Sequence, residues 1–510
     1  MPETLDETYE RTLLAIDKEK RRFAYRLFQS LVVSIRPLRV EELAELFTIQ
    51  PDVESIPRLN YRWRPENPEG SILSTCSTLV AVVNVDGHQV VQFSHFSVRE
   101  YLTSDRIVSS EHVSHFHIHV KSAHALLARV CLSVLLQLDG RIEKDKIQNF
   151  LLASYAAQHW VDHAQFEDVS LDIKDGMERL FDKDKPHFAA WIWVYDIDND
   201  GSQFTTHPAQ PDAVPLYYAA LCGFRDIAER LLDTHPQDIN SRGGYFVTPL
   251  HVAVEKGHLN VVLLLLERGA DVGSRDDDLW TPLHIASGHG YTDVVRALIQ
   301  RGADPNAREA RWETPLFVAS RNARLETARV LLDHGAGVNY GKNTGWTALH
   351  IASENGHDHV ARLLLDRGAD PNVTDRDHNT PLHVASSNGN ITVVMTLIKR
   401  RATVDARDIW GGTPLYYAVE WGHLDIVRLL LGQGALVNAR KESGRTALHI
   451  AARMGHGMIV ELLLEHGAGR HMRDRAGETP FQVASRTKFT EVSRLLMTRA
   501  DERTTTNVSQ

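Results

Sequence analysis

The chain of 510 residues has only three cysteines, Cys76, Cys131 and Cys222. They are too widely scattered for a zinc-binding spacing or a disulfide framework. That fits a reducing compartment, with the cytoplasm as the expectation and the nucleus as the alternative. Long apolar runs are also lacking: none approaches the roughly 18 residues of a membrane-spanning helix. Met1 to Glu7 carry no basic stretch followed by an apolar core, so no secretory leader is read there. Positive charge is not in excess, since 56 Lys and Arg face 66 Asp and Glu for a net charge of −10. A general attraction for nucleic acid or anionic membrane is therefore not expected. The Gly-x-x-x-x-Gly-Lys-[Ser/Thr] signature is missing too. The one Gly-Lys pair, Gly341-Lys342, is followed by Asn343. Without that loop and its hydroxyl on Mg²⁺, this sequence offers no P-loop nucleotide hydrolysis.

What is present is a beat. Thr-Pro-Leu-His or a close variant starts at Thr248, Thr281, Thr314, Thr347, Thr380, Thr413, Thr446 and Thr479, always 33 residues apart. A weaker copy, Val214-Pro215-Leu216-Tyr217, begins 34 residues before Thr248. A fixed period of this size means one supersecondary unit stacked repeatedly. Within Thr281 to Ala303, Thr281 is a helix N-cap and Pro282 the first helical residue. Leu283, Ile285 and Ala286 give a short apolar helix that ends at Gly290. Asp293 starts a second helix with Val294, Val295, Leu298 and Ile299 at amphipathic spacing. Gly302 then turns the chain, and Ala303 to Asn306 lead to the next copy.

Thr-Pro-Leu-His-x-Ala at Thr248, Thr281 and Thr380, with Gly-Ala at Gly269, Gly302, Gly335, Gly368, Gly434 and Gly467, resembles the ankyrin repeat. The departures are local. Ala323 and Lys488 replace the first-helix Gly, Arg401 replaces the Gly before Ala402, and Phe317 and Tyr416 replace the His. The expected fold is mostly α: a solenoid of about nine helix pairs over 212–500, behind a winged-helix-like α+β domain at 1–110 and a helical connector at 111–211. The polar tail 501–510 is expected to be disordered.

In the N-terminal part, residues 8–35 read as one helix and 40–47 as a second. Pro51 to Gly70 reads as loop. Leu79–Val83 and Val90–Phe93 flank Asp86-Gly87 as a β-hairpin, and Ser97–Leu102 is another short helix. Three strings resemble fungal proteins of the NACHT–ankyrin type, signalling NTPases related to NOD-like receptors: Pro2 to Arg11, Phe93 to Leu102 and Tyr155 to Trp160. In that family such strings follow the NTPase module. The resemblance implies a regulatory and recognition segment, and ATP-driven switching is not carried over to a sequence without the P-loop.

Three stretches resemble metal sites in spacing. Asp196-x-Asp198-x-Asp200-Gly201 begins like an EF-hand loop, but His207 stands where the closing acid belongs, so a solvated acidic linker is the better reading. His159 and His163 are spaced as in a zinc protease, but Trp160 occupies the place of the catalytic Glu. His115, His117 and His119 alternate without a further ligand pattern. The histidines of the repeats, His251, His284, His350, His383 and His449, with His258, His357, His423 and His456, are periodic and read as structural. No nucleophile motif is present, so no catalytic residue, metal or cofactor is expected. DNA binding through the winged-helix-like part is disfavoured by Glu41, Glu42 and Glu45.

The expected activity is non-enzymatic: a monomeric scaffold or recognition protein binding a protein partner, with neither nucleic acid nor membrane as ligand. The alternative is the sensor half of a NACHT-type NTPase whose nucleotide-binding module lies on another chain or is missing from the gene model. The ankyrin resemblance implies contact through turn tips and the first-helix face. The candidates there are Trp280, Arg311, Trp312, Arg321, Trp346, Glu354, Asn355, Arg376, Asn388, Trp410, Glu420, Trp421, Arg445 and Arg453. Trp and Arg dominate interfaces, and Trp410 and Trp421 share one repeat.

Overall fold

The computed structural model describes residues 4–48, 64–138, 147, 150–197 and 211–497, in two compact units, Met1–Ala270 and Asp271–Gln510. The tail at 501–510 and the 198–201 part of the EF-hand-like string lie outside the described residues.

In the first unit, the helix expected over 8–35 is two helices, α1 (Leu5–Leu14) and α2 (Arg21–Val33). Asp17 breaks it by accepting the Glu19 N–H at 3.2 Å. Arg21 then reaches back to the carbonyls of Ile16 and Leu14, both at 3.2 Å, satisfying the end of α1. The break lets Leu13 and Ile16 point into the same core as Leu27 and Phe28. A two-residue strand, β1 (Leu38–Arg39), leads into α3 (Val40–Phe47).

The stretch expected as loop through Gly70 differs at its end. Pro68 is the first residue of α4 (Pro68–Cys76), and Asn67 caps it by accepting the Gly70 N–H at 2.9 Å. Proline here marks a helix start, where its missing N–H costs nothing. The hairpin β2 (Val80–Val85) and β3 (His88–Phe93) turns on Asp86 and Gly87, whose φ values of 50° and 81° suit a tight two-residue turn. The antiparallel order is β1-β3-β2, with Leu38 and Val82 both paired to Val91. With α5 (Phe96–Thr103) and α6 (Asp105–Val108), this is a winged-helix-like α+β domain.

The connector is helical: α7 (Val120–Leu135), α8 (Ala153–Ala164), α9 (Val169–Asp172), α10 (Lys174–Leu180) and α11 (Pro186–Val194). The first two repeats follow as α12 (Pro215–Leu221) with α13 (Arg225–Thr234), and α14 (Pro249–Glu255) with α15 (Leu259–Glu267). An aromatic cluster runs from connector into repeat. Trp160 meets Trp191 at 5.2 Å and Phe224 at 5.4 Å between ring centroids, and Phe188 meets Tyr218 at 5.4 Å.

The second unit is a run of helix pairs. The first helices are α16 (Pro282–His289), α18 (Pro315–Arg321), α20 (Ala348–Glu354), α22 (Pro381–Ser387), α24 (Pro414–Glu420), α26 (Ala447–Met454) and α28 (Pro480–Thr487). Their partners are α17 (Thr292–Gln300), α19 (Leu325–Asp333), α21 (Asp358–Asp366), α23 (Ile391–Lys399), α25 (Leu424–Gly432), α27 (Gly457–Glu465) and α29 (Thr490–Leu496). A Thr caps every first helix in extended backbone, such as Thr281 at φ −98°. Leu283, Ala286, Val295 and Leu298 are fully buried, as the amphipathic spacing requires.

The substituted glycine positions keep the glycine conformation. Ala323, Arg401 and Lys488 have φ of 57°, 66° and 63°, against 82° at Gly290 and 94° at Gly302. A side chain there costs about 1–2 kcal/mol in the left-handed region. Arg401→Gly is therefore expected to stabilise by roughly 0.5–1 kcal/mol after the extra chain entropy of Gly is subtracted. A thermal midpoint that falls in this variant would contradict that reading.

Candidate interaction surface

The motif histidines are internal fasteners. His284, His350, His383 and His449 are buried, and each Nδ1 accepts from its capping Thr hydroxyl at 2.9–3.0 Å. Each Nε2 donates to a carbonyl 29 residues on, at Glu313, Asn379, Gly412 and Glu478, over 3.0–3.2 Å. The Thr backbone N–H also points at Nδ1, at 3.2 Å in the His284 pair. Donors therefore already occupy the nitrogen that a second proton would need. Burial is the main cause of the depressed proton affinity of all four, and His284 is lowered to about 4. The second set reaches backward: His258, His357 and His423 meet the carbonyls of Leu221, Arg321 and Ser387 at 3.1, 3.0 and 3.0 Å. His456 Nε2 finds no partner among the described residues.

Where the motif His is replaced, the next turn changes with it. Beside His284, His350, His383 and His449 stand Glu309, Asp375, Asp408 and Asp474, whose carboxylates cap their own turns. Asp375, for example, takes the N–H of Asp377 at 2.9 Å and of Asn379 at 2.7 Å. Beside Phe317 and Tyr416 the same turn position is lysine. Lys342 Nζ sits 5.3 Å from the Phe317 and Trp346 rings. Lys441 Nζ sits 4.7 Å from the Tyr416 ring, 4.8 Å from Tyr417 and 5.8 Å from Trp410. An aromatic face attracts a cation and cannot donate to a carbonyl, so ring and ammonium replace imidazole and carboxylate together.

Several candidate contact residues are engaged within the fold. Trp346 Nε1 donates to Asp375 at 3.0 Å, and Arg445 pairs with Asp474 at 3.1 Å. Arg321 pairs with Glu313 and lies over the Phe317 ring. Glu420 and Arg453 pair with one another at 3.0 Å. Asn355 donates to the Arg321 carbonyl at 3.2 Å, and Asn388 to its own helix at Val384, 2.9 Å. Trp280 is half-buried, 5.7 Å from the His284 ring, and Glu354 is half-buried. Arg311 and Arg376 are exposed at the tips.

Among the described residues three indoles face solvent: Trp312 at 52%, Trp410 at 45% and Trp421 at 64% exposure. Trp421 ends α24, and Met454 takes the same position one repeat later with 41% exposure. Trp410 lies instead under Lys441, so the two indoles of that repeat have separate settings. Sequence reading missed Lys441, Tyr417 and the pair Arg308–Tyr340. A same-position comparison of repeats would have found the first two.

The remaining chemical candidates resolve structurally. His163 is buried, with Nδ1 at 2.9 Å from His124 Nδ1 and Nε2 at 2.9 Å from the Tyr155 hydroxyl, and burial lowers it to about 3. His159 pairs with Asp162 at 3.2 Å instead. His115 lies in a 3-10 turn, Ser114–Phe116, rather than on a strand. No group of three or more His, Cys, Asp or Glu is placed to hold a metal among the described residues. No helix among them is long and apolar enough to cross a membrane. Glu42 and Glu45 are buried and pair with Arg36 and Arg64, so only Glu41 presents charge outward. That corrects the picture of α3 as an acidic outer face.

The N-terminal strings are packing signatures. Tyr9 and Ser97 meet hydroxyl to hydroxyl at 2.6 Å, and Glu10 accepts from Ser110 at 2.6 Å.

A model described as "Ankyrin repeats (3 copies)" matches residues 216–309, 308–375, 368–441 and 433–507. One described as "GPI inositol-deacylase, winged helix domain" matches residues 9–119. The chain is 30% identical over 288 residues to "Azaphilone pigments biosynthesis cluster protein L" of Monascus ruber, covering 53% of this chain and 60% of that protein. It is 41% identical over 56 residues to "Alpha-latrocrustotoxin-Lt1a" of Latrodectus tredecimguttatus, covering 11% of this chain and 4% of the toxin. The chain thus spans less than two thirds of the length of either relative.

Proposed function

Since the chain belongs to the ankyrin-repeat family and carries a winged-helix domain ahead of its repeats, we propose that it acts as a non-enzymatic recognition or scaffold protein in the cytoplasm. Its ligand is another protein, held on the first-helix face and the turn tips. This architecture is generally non-catalytic. The observation that carries the reading is Trp421, a large apolar ring left 64% exposed, with Met454 exposed at the matching position of the next repeat. A side chain of this kind gains most when a partner removes it from water.

Affinity capture with the full chain, followed by mass spectrometry, tests the reading. Trp421→Ala is expected to weaken capture at least tenfold, a loss typical of an interface anchor. Its unfolding free energy should stay within about 0.5 kcal/mol of the parent, as for other surface changes. Equal loss of binding and stability would make the ring part of the framework.

A second reading rests on the order winged helix, helical connector, repeats, and on the three strings that resemble NACHT–ankyrin proteins. In it the chain is the sensor half of a nucleotide switch whose NTPase module lies on another chain or is missing from the gene model. Genomic sequence upstream of Met1 encoding an in-frame P-loop would support this. Interrupting stop codons there, with no co-purifying NTPase, would remove it.

A further inference from the structure

The tip residue two places before each capping Thr is left-handed in every repeat of the second unit. Gly345, Gly411, Gly444 and Gly477 fill four of these places, with φ of 75–88°. Leu279, Trp312 and His378 fill the other three, at 64°, 67° and 61°. A bulky side chain in this region is strained, and persists only where something compensates. For Trp312 the compensation is not burial, since 52% of it faces solvent. Backbone strain without burial, at a place that glycine fills in four of the seven repeats, points to a use outside the fold.

The second observation lies beside it. The Arg308 guanidinium is 5.2 Å from the centroid of the Trp312 ring and 5.5 Å from that of Tyr340, which is also exposed. Among the described residues Arg308 has no carboxylate partner. The nearby acids are committed elsewhere: Glu309 caps its own turn, taking N–H groups of Arg311 and Glu313 at 2.9 Å each, and Glu313 pairs with Arg321. A guanidinium stacked on rings is fixed in orientation and keeps its in-plane N–H fork for a carboxylate. The same place in the period is Arg275 one repeat earlier, Gly341 and Thr374 in the next two, and Arg407, Arg440 and Arg473 after those, while Asp277 and Asp278 add negative charge to the preceding tip.

We propose that Trp312, Arg308 and Tyr340 form a receptor for an acidic peptide segment of a protein partner. A carboxylate of the segment pairs with Arg308, and a neighbouring apolar side chain covers Trp312. The segment runs from Arg308 toward Tyr340 and away from the exposed Asp277 and Asp278. This site rests on the protein-binding reading above and names the chemistry of the ligand.

The test is a phage-displayed library of random dodecapeptides, subtracted on the full chain carrying Arg308→Ala and then selected on the parent chain. Survivors are expected to carry Asp or Glu beside an apolar residue. As synthetic peptides they should lose at least tenfold in affinity when the acid becomes its amide, and as much against Arg308→Ala. Arg308→Lys should recover only part, because a point charge lacks the fork. Trp312→Gly should weaken the same peptides while raising the thermal midpoint by about 2–4 °C. No survivors, survivors without acids, or a Trp312→Gly chain that melts earlier would overturn the site. Peptides retained equally by parent and Arg308→Ala would overturn it too, yet leave the protein-binding reading standing. That reading falls if full-chain capture retains no protein specifically.

Discussion

Trp160→Ala is expected to cost about 3–5 kcal/mol, the range for removing a fully buried large aromatic. The ring is completely buried between Trp191, Phe181 and Phe224, at centroid distances of 5.2, 6.2 and 5.4 Å. Phe224 belongs to the first repeat, immediately ahead of α13, so the loss reaches past the connector that Trp160 sits in. Limited proteolysis of the variant should release fragments cut on both sides of residue 211, and a cut confined to the connector would contradict a shared core. Trp160→Phe should be much milder. The indole Nε1 has no hydrogen-bond partner among the described residues, so removing it orphans nothing.

Acid should unfold the repeats well before it protonates ordinary carboxylates. The motif histidines bind protons less readily folded than unfolded, with His284 lowered from 6.5 to about 4. The unfolded chain therefore takes up the proton first, and stability falls as pH drops. The contribution is fully present above 6.5 and is lost progressively between 6.5 and about 4 for His284; His163, in the connector, follows the same sign down to about 3. Each decade in proton affinity is worth about 1.4 kcal/mol, so His284 alone withdraws about 3 kcal/mol over that window. His350, His383 and His449 add in the same direction. Urea midpoints should fall steeply between about pH 7 and 5, and a flat profile would refute the assignment. The double variant His284→Phe with Glu309→Lys copies the Phe317–Lys342 pair, and should soften the acid slope.

The repeat frame was legible because its signal is local: Thr, Pro and Gly fix backbone angles wherever they recur. The role of the motif histidines was half legible. The bond to Thr spans three residues, whereas the bond from Nε2 spans 29 and needs the folded stack. The single helix read over 8–35 failed because periodicity continues across a break made by one Asx turn at Asp17. Reading Pro68 as loop failed because proline serves equally well as a helix's first residue. For the surface, sequence could nominate arginines and tryptophans, but Arg321, Arg445 and Trp346 turn inward to acids on neighbouring turns. Which cations remain unpaired is a property of the assembled tips.

The fastening pattern also bears on how such a gene can grow. Counted from its capping Thr, each 33-residue unit holds both ends of its own imidazole bond, as His284 and Glu313 do within 281–313. The aromatic–lysine pairs, Phe317 with Lys342 and Tyr416 with Lys441, are enclosed the same way. Duplication or unequal crossing-over with breakpoints just ahead of Thr passes on matched pairs intact. Between a histidine unit and one of these two, a breakpoint inside the pair would join a histidine to a lysine or an aromatic ring to a carboxylate, so viable length variants that mix the two kinds should share junctions at the Thr codons.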